Sequence, residues 1–95
     1  MRNYELVLVL NPELTEEAQE SSLQKISRWV TDKGGNIAQT DKWGRRKLAY
    51  PLKHFGEGVY VLTRFSAEPK LARELEKNLK LSEEVLRHLM VRLEE

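Results

Sequence analysis

The sequence predicts an α+β domain: one four-stranded antiparallel sheet covered on a single face by two helices. Three observations predict it. Two segments carry apolar residues at helical spacing, and four carry them in strand-like runs or alternation. These six segments follow the order β-α-β-β-α-β. Clear breakers separate them, including Asn11-Pro12 and Gly34-Gly35.

Met1 to Leu10 reads as the first strand, rich in Val and Leu and ended by Asn11-Pro12. Tyr4, Leu6, Leu8 and Leu10 share one face; Glu5, Val7 and Val9 share the other. Apolar groups on both faces suit a central strand. Thr15 is the expected N-cap of a helix running to about Lys33, with Glu16 and Glu17 in its first turn, where carboxylates complement the helix dipole. Leu23, Ile26 and Val30 recur at helical spacing and should face the core, with Trp29 at the border. Gly34-Gly35 is a strong stop, because glycine accepts the left-handed C-cap conformation at low cost.

Asn36 to Leu52 reads as a long second strand. Gly44 suggests a bulge within it, and Pro51 implies a sheet edge. Lys53 to Gly58 is expected as a glycine-containing loop, and Val59 to Ser66 as the third strand. There Val61, Thr63 and Phe65 lie on one side, Tyr60, Leu62 and Arg64 on the other. Pro69 fits the first turn of a second helix, along which Leu71, Leu75 and Leu79 repeat every fourth residue. Ser82-Glu83-Glu84 turns the chain into a last strand, Val85 to Leu93, with Val85, Leu89, Val91 and Leu93 in phase. Right-handed crossovers then give the ferredoxin-like split βαβ fold, a single domain over residues 1–95.

Ninety-five residues leave no room for a second domain. A chain of this size buries roughly 60–65% of the surface its unfolded form exposes, so it can hold a surface in shape more readily than a deep pocket. The absence of cysteine excludes disulfides, thiolate chemistry and Cys-based zinc sites. The start lacks the apolar core of a signal peptide, and the longest apolar run, Leu6 to Leu10, is far too short to cross a bilayer. Net charge is only +1, but Lys42, Arg45, Arg46, Lys47 and Lys53 cluster between Lys42 and Gly56 with no Asp or Glu among them. Elsewhere eleven basic residues face fifteen acidic ones, a net of −4. A basic segment on a mildly acidic body points to one localised polyanion contact.

With both helices on one face, the other face of the sheet is open. Strand phasing puts Val7, Val9, Tyr60, Leu62 and Met90 on it, edged by Arg64, His88 and Arg92. An apolar patch with a basic rim suits a partner protein. The basic segment should extend a sheet edge as a charged ribbon. Arg45 and Arg46 are neighbours and so point opposite ways, unless a bulge at Gly44 re-aims one of them. Arginine suits phosphate because its planar fork donates two parallel hydrogen bonds. Tyr50 is placed either to stack on a base or to be buried at a strand end.

Catalytic and cofactor motifs are missing. His54 and His88 have no metal-ligand spacing, and no phosphate-binding glycine loop or nucleophile elbow appears. An acylphosphatase of this fold needs a phosphate-cradling, arginine-bearing loop after the first strand; Asn11-Pro12-Glu13-Leu14-Thr15 has no basic residue. No catalytic residue, cofactor, metal or small-molecule substrate is expected.

Gly44-Arg45-Arg46-Lys47-Leu48-Ala49-Tyr50-Pro51-Leu52 resembles the Gly-x-Arg-x-Leu-Ala-Tyr-Pro-Ile signature of the bacterial small-subunit ribosomal protein six family. The opening Arg2-Asn3-Tyr4-Glu5, the third-strand Gly58-Val59-Tyr60 and the segment Val85 to Arg92 are similar to the family too, so the likeness spans Met1 to about Leu93. The resemblance implies a cytoplasmic structural protein of the small ribosomal subunit. It implies binding to the central domain of 16S ribosomal RNA together with small-subunit protein eighteen, no enzyme activity and no cofactor. On that reading Arg2, Arg45, Arg46, Lys47, Lys53, Arg87 and Arg92 meet RNA phosphates or the partner, and Val7, Val9, Tyr60, Leu62 and Met90 face the partner protein. Leu52 replaces the usual Ile. Many relatives continue into a tail that helps contact the partner; this sequence stops at Glu94-Glu95, a departure that puts a tail-dependent contact in doubt.

Two other readings share the element order. An RRM-like module would read single-stranded RNA with aromatics on its first and third strands; Tyr60 qualifies, but Tyr4 phases with the core. An ACT-like ligand-sensing, oligomerising domain would need a glycine-rich loop before its first helix, and none is present. Fold order alone separates none of these; the nine-residue signature does.

Overall fold

The computed structural model describes residues 1–93. Its elements are β1 (Arg2–Leu10), α1 (Glu16–Asp32), β2 (Asn36–Leu52), β3 (Phe55–Ala67), α2 (Pro69–Leu81) and β4 (Val85–Leu93). The sheet order is β2-β3-β1-β4, with every neighbouring pair antiparallel. β1 is central, as its two apolar faces require, and the proline-bearing β2 is an edge. The expected ferredoxin-like fold is the one formed.

The helix boundaries follow from local chemistry. The Thr15 side chain accepts a hydrogen bond from the Ala18 backbone N–H at 3.1 Å, satisfying one of the orphan donors of α1's first turn. At the other end Gly34 takes φ +91°. Its N–H donates to the Thr31 carbonyl at 3.2 Å, and the Gly35 N–H donates to the Val30 carbonyl at 2.9 Å. That pair of bonds is a Schellman motif, which closes the last carbonyls of the helix. α2 starts on Pro69, whose missing N–H costs nothing in a first turn.

The core lies between the helices and one sheet face. Tyr4, Leu6, Leu8 and Leu10 from β1 meet Val59, Val61, Phe65 and Ala67 from β3. Leu23 and Val30 of α1, and Leu71, Leu75 and Leu79 of α2, close over them. Tyr4 stacks on Phe65 with ring centroids 5.4 Å apart. Tyr4 therefore belongs to the core, as its phase predicts.

Three expectations need correction. First, residues 53–58 are not a glycine loop. Leu52 pairs with Phe55, so Lys53 and His54 alone make the turn, both at positive φ (47° and 72°), and Phe55 to Gly58 is already strand. A two-residue turn with both central residues left-handed carries the twist that flanking strands need. Second, β4 is out of phase with its predicted reading. Its register against β1 shifts between Val9 and Leu10, leaving Leu86 as an extra residue. Val85 thus faces the core, whereas Leu89 and Val91 turn outward and are 54% and 46% exposed. Met90 turns inward and packs against the core cluster, and His88 and Arg92 go with it to the helix side. Third, the basic hairpin does not project freely. Its register shifts between Lys47 and Leu52, and side chains of the hairpin reach the start of β4. There the Arg87 guanidinium donates to the Tyr50 hydroxyl at 2.9 Å, and Lys53 Nζ lies 3.4 Å from the Val85 carbonyl.

Candidate functional site

The open face of the sheet is ordered by its cross-strand register. Nearest the hairpin, a band runs from Trp43 and Gly44 on β2 through Tyr60 on β3 and Val9 on β1 to Arg87 on β4. The next row is Asp41, Leu62, Val7 and Leu89, and the one beyond it Gln39, Arg64, Glu5 and Val91. Arg64 Nε contacts the Glu5 carboxylate across that third row at 3.2 Å. The face is therefore polarised: aromatic and cationic toward the hairpin, apolar in the middle, ion-paired beyond.

The bulge at Gly44 makes the first band. The pairing of β2 with β3 shifts between Lys42 and Gly44, so Trp43 and Gly44 together oppose Tyr60, and Gly44 takes φ +85°. In an unbroken strand Arg45 would share a face with Asp41 and Trp43. The extra residue reverses this. Arg46 now comes over the Trp43 ring, 5.5 Å from its centroid, and Trp43 stacks on Tyr60 at 6.5 Å with planes 10° apart. Arg45 is turned to the other side, where its Nη2 donates to the Pro12 carbonyl at 2.8 Å and its Nη1 meets Glu57 at 3.4 Å. The expected re-aiming at Gly44 thus has a definite outcome. Arg46 is delivered to the open face and Arg45 becomes a brace for the loop after β1.

The seven basic candidates do not form one patch. Arg46 and Arg87 flank the open-face band. Arg45 and Lys47 lie on the opposite side of the hairpin, Lys47 beside Glu57 in register. Lys53 sits at the hairpin turn against the start of β4, in a cleft that also holds Lys80, Arg87 and His88. Arg2, paired with Ala67, and Arg92, paired with Tyr4, are on the helix side at the far end of β1. Arg92 lines a shallow groove there with Arg73, Glu76 and the inward-facing Met90.

The apolar candidates also divide. Val7, Val9, Tyr60 and Leu62 are on the open face as expected, and Met90 is not. Val9 and Leu62 are 5% and 7% exposed, so they floor the patch and offer little area. Gly58 keeps that floor closed: a Cβ there would stand 2.3 Å from Val9 Cγ1. The exposed apolar area comes from residues that strand reasoning missed, namely Trp43, Leu89 and Val91. Trp43 had a usable signal, since it precedes the glycine that marks the bulge. Leu89 and Val91 had none, because the extra residue Leu86 looks like any other strand residue. Tyr50 is 57% exposed, which decides against its burial. Among the described residues no cluster of His, Cys, Asp or Glu is arranged to hold a metal ion, and no helix is long and apolar enough to cross a membrane.

Comparison with known proteins agrees with this architecture. Residues 3–92 match the family described as ribosomal protein S6. The chain is 44% identical over 95 residues to small ribosomal subunit protein bS6 of Moorella thermoacetica, covering 100% of this chain and 97% of that one. It is 44% identical over 91 residues to the bS6 of Clostridium novyi, covering 96% of each. The crystal structure of 30S ribosomal protein S6 from Thermotoga maritima superposes with a TM-score of 0.90 at 28% identity, over 97% of this chain and 87% of that one. The signature segment, the split βαβ sheet and these full-length matches agree, and the chain belongs to the ribosomal protein S6 family, whose members are structural components of the small subunit of the cytoplasmic bacterial ribosome and not enzymes.

Proposed function

We propose that this chain binds the central domain of 16S ribosomal RNA jointly with small-subunit protein eighteen and so supports subunit assembly. The observation that carries the proposal is where the signature segment falls. Gly44 to Leu52 forms the bulge, the Arg46–Trp43 contact and the bent hairpin, and no carboxylate lies between Lys42 and Gly56. On this reading Arg46, Lys47, Lys53 and Arg87 supply most of the phosphate contacts, because they are gathered at the hairpin end. Arg45 acts mainly through the loop it braces. Arg2 and Arg92 form a separate, weaker contact at the far end. The partner protein covers the middle of the open face, where Leu89 and Val91 join Val7 and Tyr60 over the floor of Val9 and Leu62.

A net charge of +1 leaves the isolated chain with little long-range attraction for RNA. Binding at physiological salt should therefore be weak alone and strong with the partner. The test is a titration of central-domain RNA with the chain, with and without protein eighteen, at two salt concentrations. Joint binding that weakens with salt is expected. Arg46→Ala should flatten the log–log salt slope by about one contact, roughly 0.7 to 0.9. Tight specific binding by the chain alone would contradict the shared-interface reading, and no binding in either case would contradict RNA recognition.

A further inference from the structure

The hairpin end of the open face combines features that phosphate contacts alone do not require. Trp43 is 44% exposed, although it is among the most apolar side chains on the face. Its ring is nearly parallel to that of Tyr60 and is capped by the Arg46 guanidinium. Across the sheet, Arg87 holds the Tyr50 hydroxyl, so three aromatic rings and two guanidinium groups belong to one band. The band carries no carboxylate; Asp41 stands in the next row, and Glu57 is turned to the other side with Arg45. At about 4.8 Å between strands, the three intervals from β2 to β4 span on the order of 14 Å, enough for two or three nucleotides of single-stranded RNA.

We infer that this band is a stacking platform for unpaired nucleotides, with a base on the exposed Trp43 ring and phosphates on Arg46 and Arg87. An apolar protein segment would use the rings but leave two arginines without counter-charge, whereas a nucleotide satisfies both. The Arg46–Trp43 contact is no obstacle. An exposed cation–π pair is weak, and a base brings its own π-face and a phosphate for the displaced guanidinium. Tyr60 keeps the third-strand position that an RRM uses, but the exposed ring, Trp43, sits on β2 and not on the first strand, so that half of the placement is this fold's own. The inference rests on the RNA-binding reading above and sharpens it from charge to base contact.

The test uses Trp29→Phe, which leaves Trp43 as the sole tryptophan reporter. Its emission is followed in the complex with protein eighteen during titration with central-domain RNA, a short single-stranded RNA and the same RNA as a duplex. Stacking predicts saturable quenching by the first two and little by the duplex. Trp43→Ala should weaken single-strand binding roughly 5- to 100-fold, while Trp43→Phe retains most of it. Thermal unfolding of each variant checks that the fold is kept. If RNA binds Trp43→Ala as tightly as the parent and emission does not change, the platform is wrong and RNA binding stands. If no RNA binds either protein, the RNA reading falls and the platform with it. Quenching by protein eighteen alone, with no further response to RNA, would make the band a protein interface and overturn the proposal.

Discussion

Lys53 and His54 make the hairpin turn at positive φ with no glycine between them. A side chain in the left-handed region costs on the order of 1 kcal/mol or more, and glycine removes that cost. His54→Gly should therefore raise stability by about 1 kcal/mol, read from the denaturant midpoint; an unchanged midpoint would mean that His54 gains as much from its contacts as it loses in backbone strain. Gly35 is the opposite case. A Cβ there would lie 2.6 Å from Val30 Cγ1 and 2.9 Å from the Ser66 carbonyl oxygen, and that oxygen belongs to the backbone of β3. Gly35→Ala should cost roughly 1–3 kcal/mol by pushing α1 off the sheet, measured by the same unfolding curve. Both residues show what single positions do and do not reveal. Paired glycines after a helical stripe signalled the Schellman stop directly. Nothing in Lys53-His54 signals a left-handed pair, since the property belongs to the register of the strands it joins.

At the scale of elements, α1 is capped at its start by the Thr15 hydroxyl, which accepts from the Ala18 N–H, and is tied further by the Gln19 side chain, which donates to the Leu14 carbonyl. Thr15→Ala should cost about 1 kcal/mol, and Thr15→Asp should restore most of it, seen as paired shifts in melting temperature. Strand phase explains most of what was and was not legible. The faces of β1 and β3 read correctly because both keep a strict period of two along their paired lengths. β4 did not, because the extra Leu86 exchanges its faces between Val85 and Arg87, and leucine carries no mark of a bulge. β2 was read in part. Gly44 marked its bulge, but the consequence for Trp43 depends on counting residues against β3, which a single strand cannot supply. The candidate site was thus legible as a segment and illegible as a surface.

At the scale of the whole molecule, the two sheet faces have separate duties. The helix-covered face holds the fold, with Leu6, Leu8 and Leu10 fully buried in the central strand. Leu8→Ala should cost about 2–5 kcal/mol, a large share of the stability of a domain this small, and a urea titration should show the midpoint fall without new intermediates. The open face has its own shallow floor, Val9 and Leu62, beneath more exposed residues. Leu89→Ser should accordingly leave the unfolding midpoint within about 0.5 kcal/mol of the parent while weakening the joint complex with protein eighteen, measured by calorimetry. A loss of stability comparable to Leu8→Ala would show that the face is a second core and not a contact surface.

The extra residue at Gly44 acts as a parity bit. Every side chain from Arg45 to Lys47 is read on one side of the sheet or the other according to whether the count of residues before it is odd or even. A single-residue insertion or deletion between Asp41 and Gly44 would exchange the roles of Arg45 and Arg46 at one stroke, withdrawing the loop brace and the aromatic cap together. Adding or removing two residues would keep the parity, and with it the message written on each face.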